Sequence, residues 1–517
     1  MAPQALHTLH TPQEAAAWLR SRVQGVLHTD SRRVQAGDGF IAWPGGVRDG
    51  RAFVNDVLQQ HAHAVLVERD GVEAFDWSHA KDSRVDNNTL TIASYEGLKA
   101  ASGPIAAAYY EEPSRAMDVV AITGTNGKTS TAWWLAHALN AMGQRCALVG
   151  TLGVGEVHAL EVTGMTTPDP VLLQARLRDM VNHGVTACAI EASSIGIAEH
   201  RLDGTHIKVA VFTNFTQDHL DYHGSMPAYW QAKAALFDWP ELSAAVVQVD
   251  DAKGRVLAQQ LSSRGDLQVW TFACHADAPE GCDASCHLRA SDIVHGEQGL
   301  QFAVACGASS QTQAMQTRLV GTYNVSNVLG VMTVLCAMGH PLSTATQACR
   351  DLPAVPGRMQ TLGGNDAPLV VIDYAHTPDA VAQAVQALLP LAQTRGGQVT
   401  CVLGCGGDRD ASKRPLMAAM AEQHAHHVVL TSDNPRSENP DSILQQMLQG
   451  VKEADAIRVL PDRAQAIAWT VQNASTQDVV LIAGKGHEDY QEIAGVRHPF
   501  SDAEHARLAL QHRRAHV

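Results

Sequence analysis

The sequence lacks the features that are typical of exported and membrane-spanning chains. No stretch approaches the roughly 18 uninterrupted apolar residues that a membrane helix needs. Residues 1–7 have neither a basic segment nor an apolar core, so they do not resemble a secretory signal. We therefore expect a cytoplasmic protein with no integral membrane segment. In that compartment the ten cysteines would be reduced and mostly structural.

Runs of lysine and arginine are also missing. The chain has 38 basic and 53 acidic residues, which gives a formal net charge of −15. Proteins that bind nucleic acid use clustered basic side chains to neutralise phosphates, so we expect no nucleic-acid partner. An anionic substrate must instead be held by individual arginines, by helix N-termini or by a metal ion.

Paired metal-ligand spacings are absent as well. The one local group of potential ligands contains Cys274, His275, Cys282, Cys286 and His287. Their spacings match no recognised zinc pattern, and the surrounding residues are rich in Ala, Asp and Gly. We therefore favour a surface insertion over a structural zinc site in this segment.

A chain of 517 residues is too long for one hydrophobic core, which favours about two to four domains. Residues 1–103 combine short strand signals with glycine-rich turns, whereas apolar strands alternate with helices over 104–352 and again, after a proline-rich linker, over 353–517. This alternation is typical of parallel sheets covered by helices on both faces. The sequence therefore predicts an α/β fold of three domains: a small N-terminal domain, a central domain with a P-loop-type, mostly parallel sheet, and a C-terminal Rossmann-like, doubly wound domain.

Individual elements follow from the apolar runs and their periodicity. The predicted strands are 64–67, 119–122, 188–190, 209–212, 245–249, 369–372, 399–403, 427–430 and 479–483, and the predicted helices are 15–20 and 129–141. Residues 270–318 are strand-like and polar, which favours a β elaboration at the edge of the central domain.

The most informative segment follows the strand 119–122 and opens the helix after it. It consists of Gly124, Thr125, Asn126, Gly127, Lys128, Thr129 and Ser130. Glycines let backbone N–H groups close around phosphate oxygens, and the helix N-terminus adds positive potential. We expect Lys128 to reach the β- and γ-phosphates of ATP, and the Thr129 hydroxyl to bind Mg²⁺. Ile122 stands where the common P-loop has its first glycine, so this loop is a shortened variant.

Two polar side chains at strand ends predict the rest of a Mg²⁺ site. Glu191 follows the strand 188–190, and His219 follows the strand 209–212. Ligands collect at the carboxyl ends of parallel strands. Either residue alone would more often be a structural hydrogen-bonding group, but both are expected at the sheet edge that carries the phosphate loop.

An ordered series of motifs spans nearly the whole chain. It comprises Thr29-Asp30-Ser31-Arg32 with Gly37-Asp38 and Phe40, the loop from Gly124 to Thr129, Thr166-Thr167-Pro168, Glu191-Ala192-Ser193-Ser194 with Arg201, Asp218-His219-Leu220-Asp221-Tyr222-His223-Gly224, Tyr323-Asn324-Val325-Ser326-Asn327, Pro356-Gly357-Arg358 and Asp373-Tyr374-Ala375-His376-Thr377-Pro378. Together these motifs resemble the Mur ligase family, and within it the synthetases that build the tripeptide of the cell-wall precursor.

The resemblance implies an ATP-dependent acid–amino-acid ligase of peptidoglycan synthesis. Such an enzyme activates UDP-N-acetylmuramoyl-L-alanyl-D-glutamate as an acyl phosphate and joins it to meso-diaminopimelate, acting as a monomer. The implied ATP contacts beyond the loop are Asn324, Arg358 and Asp373, and the implied contacts with the sugar nucleotide are Ser31, Thr166, Thr167, Ser193, Glu199 and Arg201.

The resemblance also gives Lys233 an unusual role. In the family, the lysine that ends the run His-Gly-x-Met-x-x-Tyr-x-x-Ala-Lys is carbamylated, and here that run extends from His223 to Lys233. Addition of CO₂ turns a cation into an anion that can bind Mg²⁺. Without the resemblance, a single lysine in a helix would be interpreted as a surface residue.

The C-terminal motifs imply which amino acid is added. The implied diaminopimelate contacts are Arg409, Asp433, Asn434, Pro435, Arg436, Gly484 and Glu488. Enzymes of the family that add L-lysine generally lack the arginine of Asp-Asn-Pro-Arg. A guanidinium can bind the distal carboxylate of diaminopimelate through two hydrogen bonds, and Glu488 would accept from an ammonium of the substrate. Taken alone, Arg436 would be interpreted as a solvated loop arginine.

Two departures from the family pattern limit the comparison. Ser194-Ile195-Gly196 replaces Ser-Ser-His-Gly, so a histidine role cannot be transferred to this position. Glu199 stands where a glutamine is common, which places a negative charge near an anionic substrate.

Four alternatives remain open at the sequence level. Two are ligases: an L-lysine-adding synthetase and an enzyme similar to folylpolyglutamate synthetase, which lacks the uridine-binding domain. The others are a P-loop NTPase or kinase that acts as a switch, and a sugar-nucleotide-binding protein without catalysis. The last of these would not need Lys128, Glu191 and His219 together.

Overall fold

The computed structural model describes residues 6–46, 48–77, 91–296, 299–307 and 311–514. The prediction about an export signal rests on residues 1–7, of which 1–5 lie outside the described residues. Within the described residues, no helix has both the length and the apolar character needed to cross a membrane. The chain forms two compact units, Met1–His287 with Gly330–Pro341, and Leu288–Leu329 with Leu342–Val517.

The first unit begins with a small parallel sheet. Its strands are β1 (His7–Leu9), β2 (Leu27–His28), β3 (Gly39–Ala42), β4 (Ala64–Glu68) and β5 (Ile92–Tyr95), in the order β1-β5-β4-β3-β2, and its helices are α1 (Pro12–Arg20), α2 (Val54–Gln59) and α3 (Leu98–Tyr109). Thr11 begins α1 by accepting a hydrogen bond from the backbone N–H of Glu14. The helix and strand predicted here, 15–20 and 64–67, are confirmed.

The larger sheet of this unit carries the phosphate loop. Its strands are β6 (Asp118–Thr123), β7 (Cys146–Gly150), β8 (Gly153–Glu156), β9 (Ala159–Glu161), β10 (Ala187–Glu191), β11 (Val209–Phe212), β12 (Ala244–Gln248) and β13 (Gln268–Ala273). They lie in the order β13-β12-β11-β6-β10-β7-β8-β9, parallel from β13 to β7 and antiparallel beyond it. Because its parallel strands are buried on both faces, they read as continuous apolar runs, and all four strands predicted in this region are confirmed.

Helices alternate with these strands and cover the sheet. They are α4 (Lys128–Ala141), α5 (Pro170–Asn182), α6 (Ser194–Ala198), α7 (Leu220–His223), α8 (Met226–Ala234) and α9 (Ala252–Ser262). The helix predicted over 129–141 is confirmed as α4. The central position of β6 places the loop at the middle of the carboxyl edge, where ligands bind in doubly wound sheets.

The second unit opens with an antiparallel meander of β14 (His287–Gly296), β15 (Gly299–Cys306) and β16 (Gln313–Thr317). The predicted strand character of 270–318 is therefore confirmed for 270–273 and for these three strands, whereas 274–286 contains no strand. Two helices follow, α10 (Tyr323–Ala337) and α11 (Leu342–Ala348), and the boundary between the two units falls inside α10.

The rest of the second unit is a doubly wound sheet. Its strands are β17 (Gln360–Gly363), β18 (Leu369–Asp373), β19 (Val399–Leu403), β20 (His427–Leu430), β21 (Arg458–Val459) and β22 (Val479–Ala483), in the order β17-β18-β22-β19-β20-β21, with only β17 antiparallel. The remaining elements are α12 (Pro378–Arg395), α13 (Lys413–His424), α14 (Pro440–Leu448), α15 (Arg463–Asn473), the hairpin β23 (Tyr490–Ile493) and β24 (Val496–Pro499), and α16 (Asp502–Arg514).

These elements confirm the predicted α/β class, with mostly parallel sheets. The four strands predicted in the C-terminal region are also confirmed. The domain boundaries at 103 and 352 stay predictions.

Candidate active site

The phosphate loop is a tight turn that tolerates no side chain at its first glycine. Gly124 has φ of 150°, and a Cβ there would lie 1.9 Å from the Thr213 hydroxyl oxygen. Gly127 adopts φ of 86° and precedes the first residue of α4. Asn214 fixes the loop from outside, since its side-chain oxygen accepts from the Asn126 N–H at 2.8 Å and its amide donates to the Asn126 carbonyl. The backbone of the loop is therefore held in place by its neighbours.

Lys128 lies over the loop that it follows. Its ammonium donates to the carbonyl oxygens of Gly124 and Thr125, both at 2.8 Å. This places a cation directly above the backbone that would surround a phosphate.

Glu191 lies behind the loop at the end of β10 and is almost completely buried. It accepts from the Thr129 hydroxyl at 2.8 Å and from the Thr151 backbone N–H at 2.7 Å. Gly150 permits this approach, because a Cβ there would lie 2.2 Å from the carboxylate. Thr151 was not identified from the sequence, although a polar residue directly after a buried parallel strand is the same signal that identified Glu191.

Four of the residues expected to contact the sugar nucleotide form a connected group. Thr167 donates to the Glu191 carbonyl at 2.7 Å and lies 3.0 Å from the Ser193 hydroxyl. Arg201 donates to the Thr167 carbonyl at 3.0 Å, and Thr166 lies 3.0 Å from Thr151 through their hydroxyls. These contacts join the predicted sugar-nucleotide residues to the carboxylate behind the phosphate loop.

Ser31 is the first residue of a short 3-10 helix, Ser31–Arg33. Asp30 caps this helix, because its side chain accepts a hydrogen bond from the backbone N–H of Arg32. Asp38, which belongs to the same motif, is not exposed to ligand. It is buried and accepts from the backbone N–H groups of Val26 at 2.9 Å and Gln35 at 2.8 Å. Asp38 therefore shapes the entry loop, while Ser31 remains the residue predicted to contact ligand.

Glu199 has two partners that compensate its charge. The Lys99 ammonium lies 2.7 Å from one carboxylate oxygen, and the Tyr222 hydroxyl donates to the other. Hydrogen bonds from Lys99 and Tyr222, in that order, lower the pKa of Glu199 below its usual range. Glu199 is therefore ionised at neutral pH, and the charge that the family pattern left unexplained is paired.

His219 precedes α7 in a left-handed backbone conformation, with φ of 51°. Burial is the main cause of the lowered pKa of its imidazole, and the cations Lys128 and Lys233 lower it further against the opposing effect of Asp218. The imidazole is therefore neutral near pH 7 and retains a lone pair that can bind a metal.

Lys233 is buried in α8, with 1% of its surface exposed, so the interpretation as a surface lysine is wrong. Its ammonium donates to the Gly124 carbonyl at 2.6 Å and lies 4.4 Å from the centre of the Tyr229 ring. Burial, and secondarily the charge of Lys128, lower the pKa of Lys233 well below its ordinary value. The side chain is placed under the phosphate loop, where sequence periodicity alone could not locate it.

Tyr229 contacts several of these side chains. In the sequence it is marked only as the tyrosine of the motif that extends from His223 to Lys233. Its hydroxyl lies 3.2 Å from the Thr125 hydroxyl, and its ring packs 5.2 Å from that of His223 and 6.1 Å from that of His219. Burial raises the pKa of Tyr229, so it stays a neutral hydrogen-bonding group.

The donor atoms present are compatible with Mg²⁺ only in part. The Thr129 hydroxyl and the Glu191 carboxylate are adjacent oxygen ligands of the kind that Mg²⁺ prefers. Lys233 as an ammonium is a hydrogen-bond donor and would repel the ion, whereas its carbamate would supply oxygens. Within the described residues, no three His, Cys, Asp or Glu side chains form a group that could hold a metal, and this includes the segment of Cys274 to His287.

The predicted ATP contacts of the second unit each have local contacts that hold them. Asp373 is the last residue of β18 and accepts from the backbone N–H groups of Met359 at 2.8 Å and Ala375 at 2.9 Å. The Arg358 guanidinium lies 4.5 Å from the centre of the Tyr374 ring. Asn324 is buried at the start of α10 and donates to a backbone carbonyl of its own segment.

The predicted diaminopimelate contacts surround a buried lysine that was not among them. The Lys485 ammonium lies 3.0 Å from the Asn434 side-chain oxygen, 3.1 Å from Glu488 and 3.5 Å from Asp433. Asn434 in turn donates to Glu488 at 2.8 Å. Gly484 approaches Asp433 so closely that a Cβ would lie 3.1 Å from the carboxylate. Lys485 therefore holds the side chains of Asn434 and Glu488 in place.

Arg436 follows Pro435 in a left-handed conformation, with φ of 51°. Its guanidinium donates to the Gly407 carbonyl at 2.6 Å. Arg409, on the same loop as Gly407, is exposed and makes no hydrogen bond or ion pair within the part of the chain that the structure describes. The remaining N–H groups of the two arginines can serve a carboxylate ligand.

An ion pair between the buried Arg414 and the partly exposed Glu438 connects the loops that carry these arginines, and we call it the latch. The Arg414 guanidinium makes two hydrogen bonds to Glu438, at 2.7 and 2.8 Å, and donates to the Gly406 carbonyl at 3.1 Å. Glu438 also accepts from the Asp408 N–H at 2.5 Å. The sequence analysis missed this pair, because nothing in the composition distinguishes a buried arginine from a solvated one.

The chain is similar to known proteins over most of its length. Residues 122–335 match the Mur ligase middle domain, and residues 357–486 match the Mur ligase, glutamate ligase domain. A UDP-N-acetylmuramoyl-L-alanyl-D-glutamate--2,6-diaminopimelate ligase from Acidovorax sp. (strain JS42) is 55% identical over 98% of this chain and 99% of its own length.

Solved structures of Mur ligases are also similar to this chain. A structure of a UDP-N-acetylmuramoyl-L-alanyl-D-glutamate--2,6-diaminopimelate ligase has a TM-score of 0.64 and 32% identity, with 95% of both chains covered. The Thermotoga maritima MurF ligase, solved in complex with ADP, has a TM-score of 0.63 with 95% of this chain and 98% of that chain covered. At 18% identity, the second similarity concerns the fold alone.

Proposed function

The chain belongs to the Mur ligase family, and from that premise we propose that it joins meso-diaminopimelate to UDP-N-acetylmuramoyl-L-alanyl-D-glutamate at the expense of ATP. The observation that carries the proposal is the phosphate loop with Glu191 hydrogen-bonded to Thr129. It occurs in a chain that is 55% identical, over nearly its whole length, to a ligase named for this reaction.

The first step activates the substrate carboxylate. The D-glutamyl carboxylate attacks the γ-phosphate of ATP, which gives an acyl phosphate and ADP. Lys128 and the backbone N–H groups of the loop stabilise the charge on the transferred phosphoryl group. This role is supported by the Lys128 ammonium, which already lies over the loop carbonyls.

The second step forms the amide. An amine of diaminopimelate attacks the activated carbonyl, and phosphate leaves. The acyl phosphate is already reactive, so the protein contributes mainly positioning and charge stabilisation. Glu488, held by Asn434 and Lys485, would accept from an ammonium of the amino acid, and Arg436 with Arg409 would bind its distal carboxylate.

Thr129, Glu191, His219 and a carbamylated Lys233 would hold Mg²⁺. Bound there, the ion would neutralise phosphate charge. The carbamate forms when a neutral amine adds to CO₂ and releases one proton. The lowered pKa of Lys233, which follows mainly from burial, favours the neutral amine that this reaction requires.

The remaining assignments are proposals of the same kind. The ATP contacts of the second unit would be Asn324, Arg358 and Asp373, and the sugar nucleotide would contact Ser31, Thr166, Thr167, Ser193, Glu199 and Arg201. We propose a cytoplasmic monomer of three domains, 1–103, 104–352 and 353–517.

The direct test measures phosphate release from ATP by the purified protein. Release should require both UDP-N-acetylmuramoyl-L-alanyl-D-glutamate and meso-diaminopimelate, and mass spectrometry should identify the tripeptide product. Lys128→Ala should abolish release without lowering the melting temperature, because Lys128 contacts loop carbonyls and does not pack in a core. If the wild type releases phosphate at the same rate with and without the amino acid, the result would favour an NTPase switch and contradict the proposal.

A further inference from the structure

Lys99 lies beside the predicted sugar-nucleotide contacts without being one of them. It occupies the first turn of α3, whose start is fixed because Glu68 accepts from the backbone N–H of Leu98 at 2.7 Å. A cation near a helix N-terminus is electrostatically unfavourable. An opposing interaction must therefore hold Lys99 there, and Glu199 supplies it at 2.7 Å.

The contacts of Glu199 restrict where the Lys99 ammonium can be. Tyr222 donates to the second carboxylate oxygen, so the carboxylate is held from two sides. The hydroxyl of Tyr222 remains protonated, because burial and the bond to Glu199 raise its pKa to about 12. The three residues come from α3, the end of α6 and α7, and together they fix the ammonium at one position.

The charges of the neighbouring side chains indicate what the pair of Lys99 and Glu199 does. Arg201 lies close enough to Glu199 for their charges to interact. Without Lys99, the charges of Glu199 and Arg201 would cancel. The surface around them would then present no net charge to an anionic ligand. With Lys99 present, the three groups carry a net positive charge. Lys99 thus compensates the charge of the glutamate that replaces the family's usual glutamine.

We propose that Lys99, positioned by Glu199 and Tyr222, is a binding residue for the anionic sugar nucleotide. The ammonium supplies the hydrogen-bond donor that a glutamine amide would supply at position 199. This inference rests on the proposed function, because it assumes that the surface around Arg201 and Thr167 receives that substrate. The competing explanation is an exposed ion pair, which usually contributes little.

The test measures KM for UDP-N-acetylmuramoyl-L-alanyl-D-glutamate at saturating ATP and diaminopimelate. Lys99→Met should raise this KM about tenfold or more, as expected for loss of a charge-assisted hydrogen bond, while the KM for ATP and kcat change little. Adding Glu199→Gln to Lys99→Met should recover at least about half of the loss on a logarithmic scale, since it removes the unpaired carboxylate.

Arg115→Met is the matched control. Arg115 forms an ion pair with Glu241 in the same unit, through hydrogen bonds of 2.7 and 2.8 Å, and this pair is more exposed than that of Lys99 and Glu199. A KM in Lys99→Met that matches this control, or a double variant no better than Lys99→Met, would overturn the inference. A wild type without tripeptide synthesis would instead overturn the proposed function, so the two failures are distinguishable.

Discussion

At the scale of single residues, the side chains that matter most are those whose burial the sequence does not reveal. Lys233 has no local feature that marks it as buried, yet 1% of its surface is exposed and its ammonium contacts the loop. Lys485 and Arg414 are similarly buried. Phosphate-loop residues could be predicted because glycine, lysine and threonine have fixed roles around a phosphate, whereas the supporting charges depend on tertiary packing.

The carbamate on Lys233 can be tested by substitution and rescue. Lys233→Ala should lose nearly all ligase activity, because the anion beside Mg²⁺ disappears. A small carboxylic acid such as formate should restore part of it by occupying the vacated space. Mass spectrometry of the wild type under CO₂ should find the added carboxylate on Lys233.

Lys253→Ala serves as the control for this experiment. Lys253 also packs against an aromatic ring, that of Trp230 at 5.3 Å, but it is exposed. The variant should retain activity and show no response to formate. An active Lys233→Ala enzyme, or active wild type with a free amine at Lys233, would exclude the carbamate.

At the scale of elements, the sequence predicts strands that are buried on both faces, and it does not predict an exposed hairpin that is defined by the pairing of its strands. The parallel strands β6, β10, β11, β19, β20 and β22 read as apolar runs because both of their faces are covered. The hairpin of β23 and β24 was missed, because its alternating polar residues are mostly exposed and carry no apolar signal. That hairpin supports Arg436, whose N–H donates to the Glu492 carbonyl and whose carbonyl accepts from Ala494.

The latch between Arg414 and Glu438 gives a prediction at this scale. Glu438→Gln should lower kcat/KM for diaminopimelate about tenfold, since a carboxylate that accepts three hydrogen bonds becomes a weaker acceptor and the loops of Arg409 and Arg436 separate. The KM for ATP should change much less. Steady-state kinetics with each substrate varied in turn measures both effects.

Arg395→Met provides the comparison. Arg395 binds backbone carbonyls of Gly364 and Thr476 at 2.7 Å, at the opposite edge of the same sheet. Its loss should lower the melting temperature without changing kcat/KM for diaminopimelate. If Glu438→Gln behaves in the same way, the latch stabilises the fold and has no part in substrate binding.

At the scale of the whole molecule, the α/β class followed from the alternation of strands and helices, and the family followed from the order of its motifs. A net charge of −15 repels anionic substrates at a distance, so their binding must depend on the few cations placed at strand ends. We therefore propose that a small number of contacts around Arg436 decide which amino acid is added.

The most direct test of the account compares meso-diaminopimelate with L-lysine in the wild type and in Arg436→Ala. We expect the wild type to prefer diaminopimelate strongly, because lysine has no distal carboxylate to pair with Arg436. Arg436→Ala should lose ~1.5–3 kcal/mol of binding for diaminopimelate, about tenfold or more in kcat/KM, and far less for lysine. An equal loss for both amino acids would assign Arg436 to loop structure, and a wild type that prefers lysine would contradict the proposed substrate.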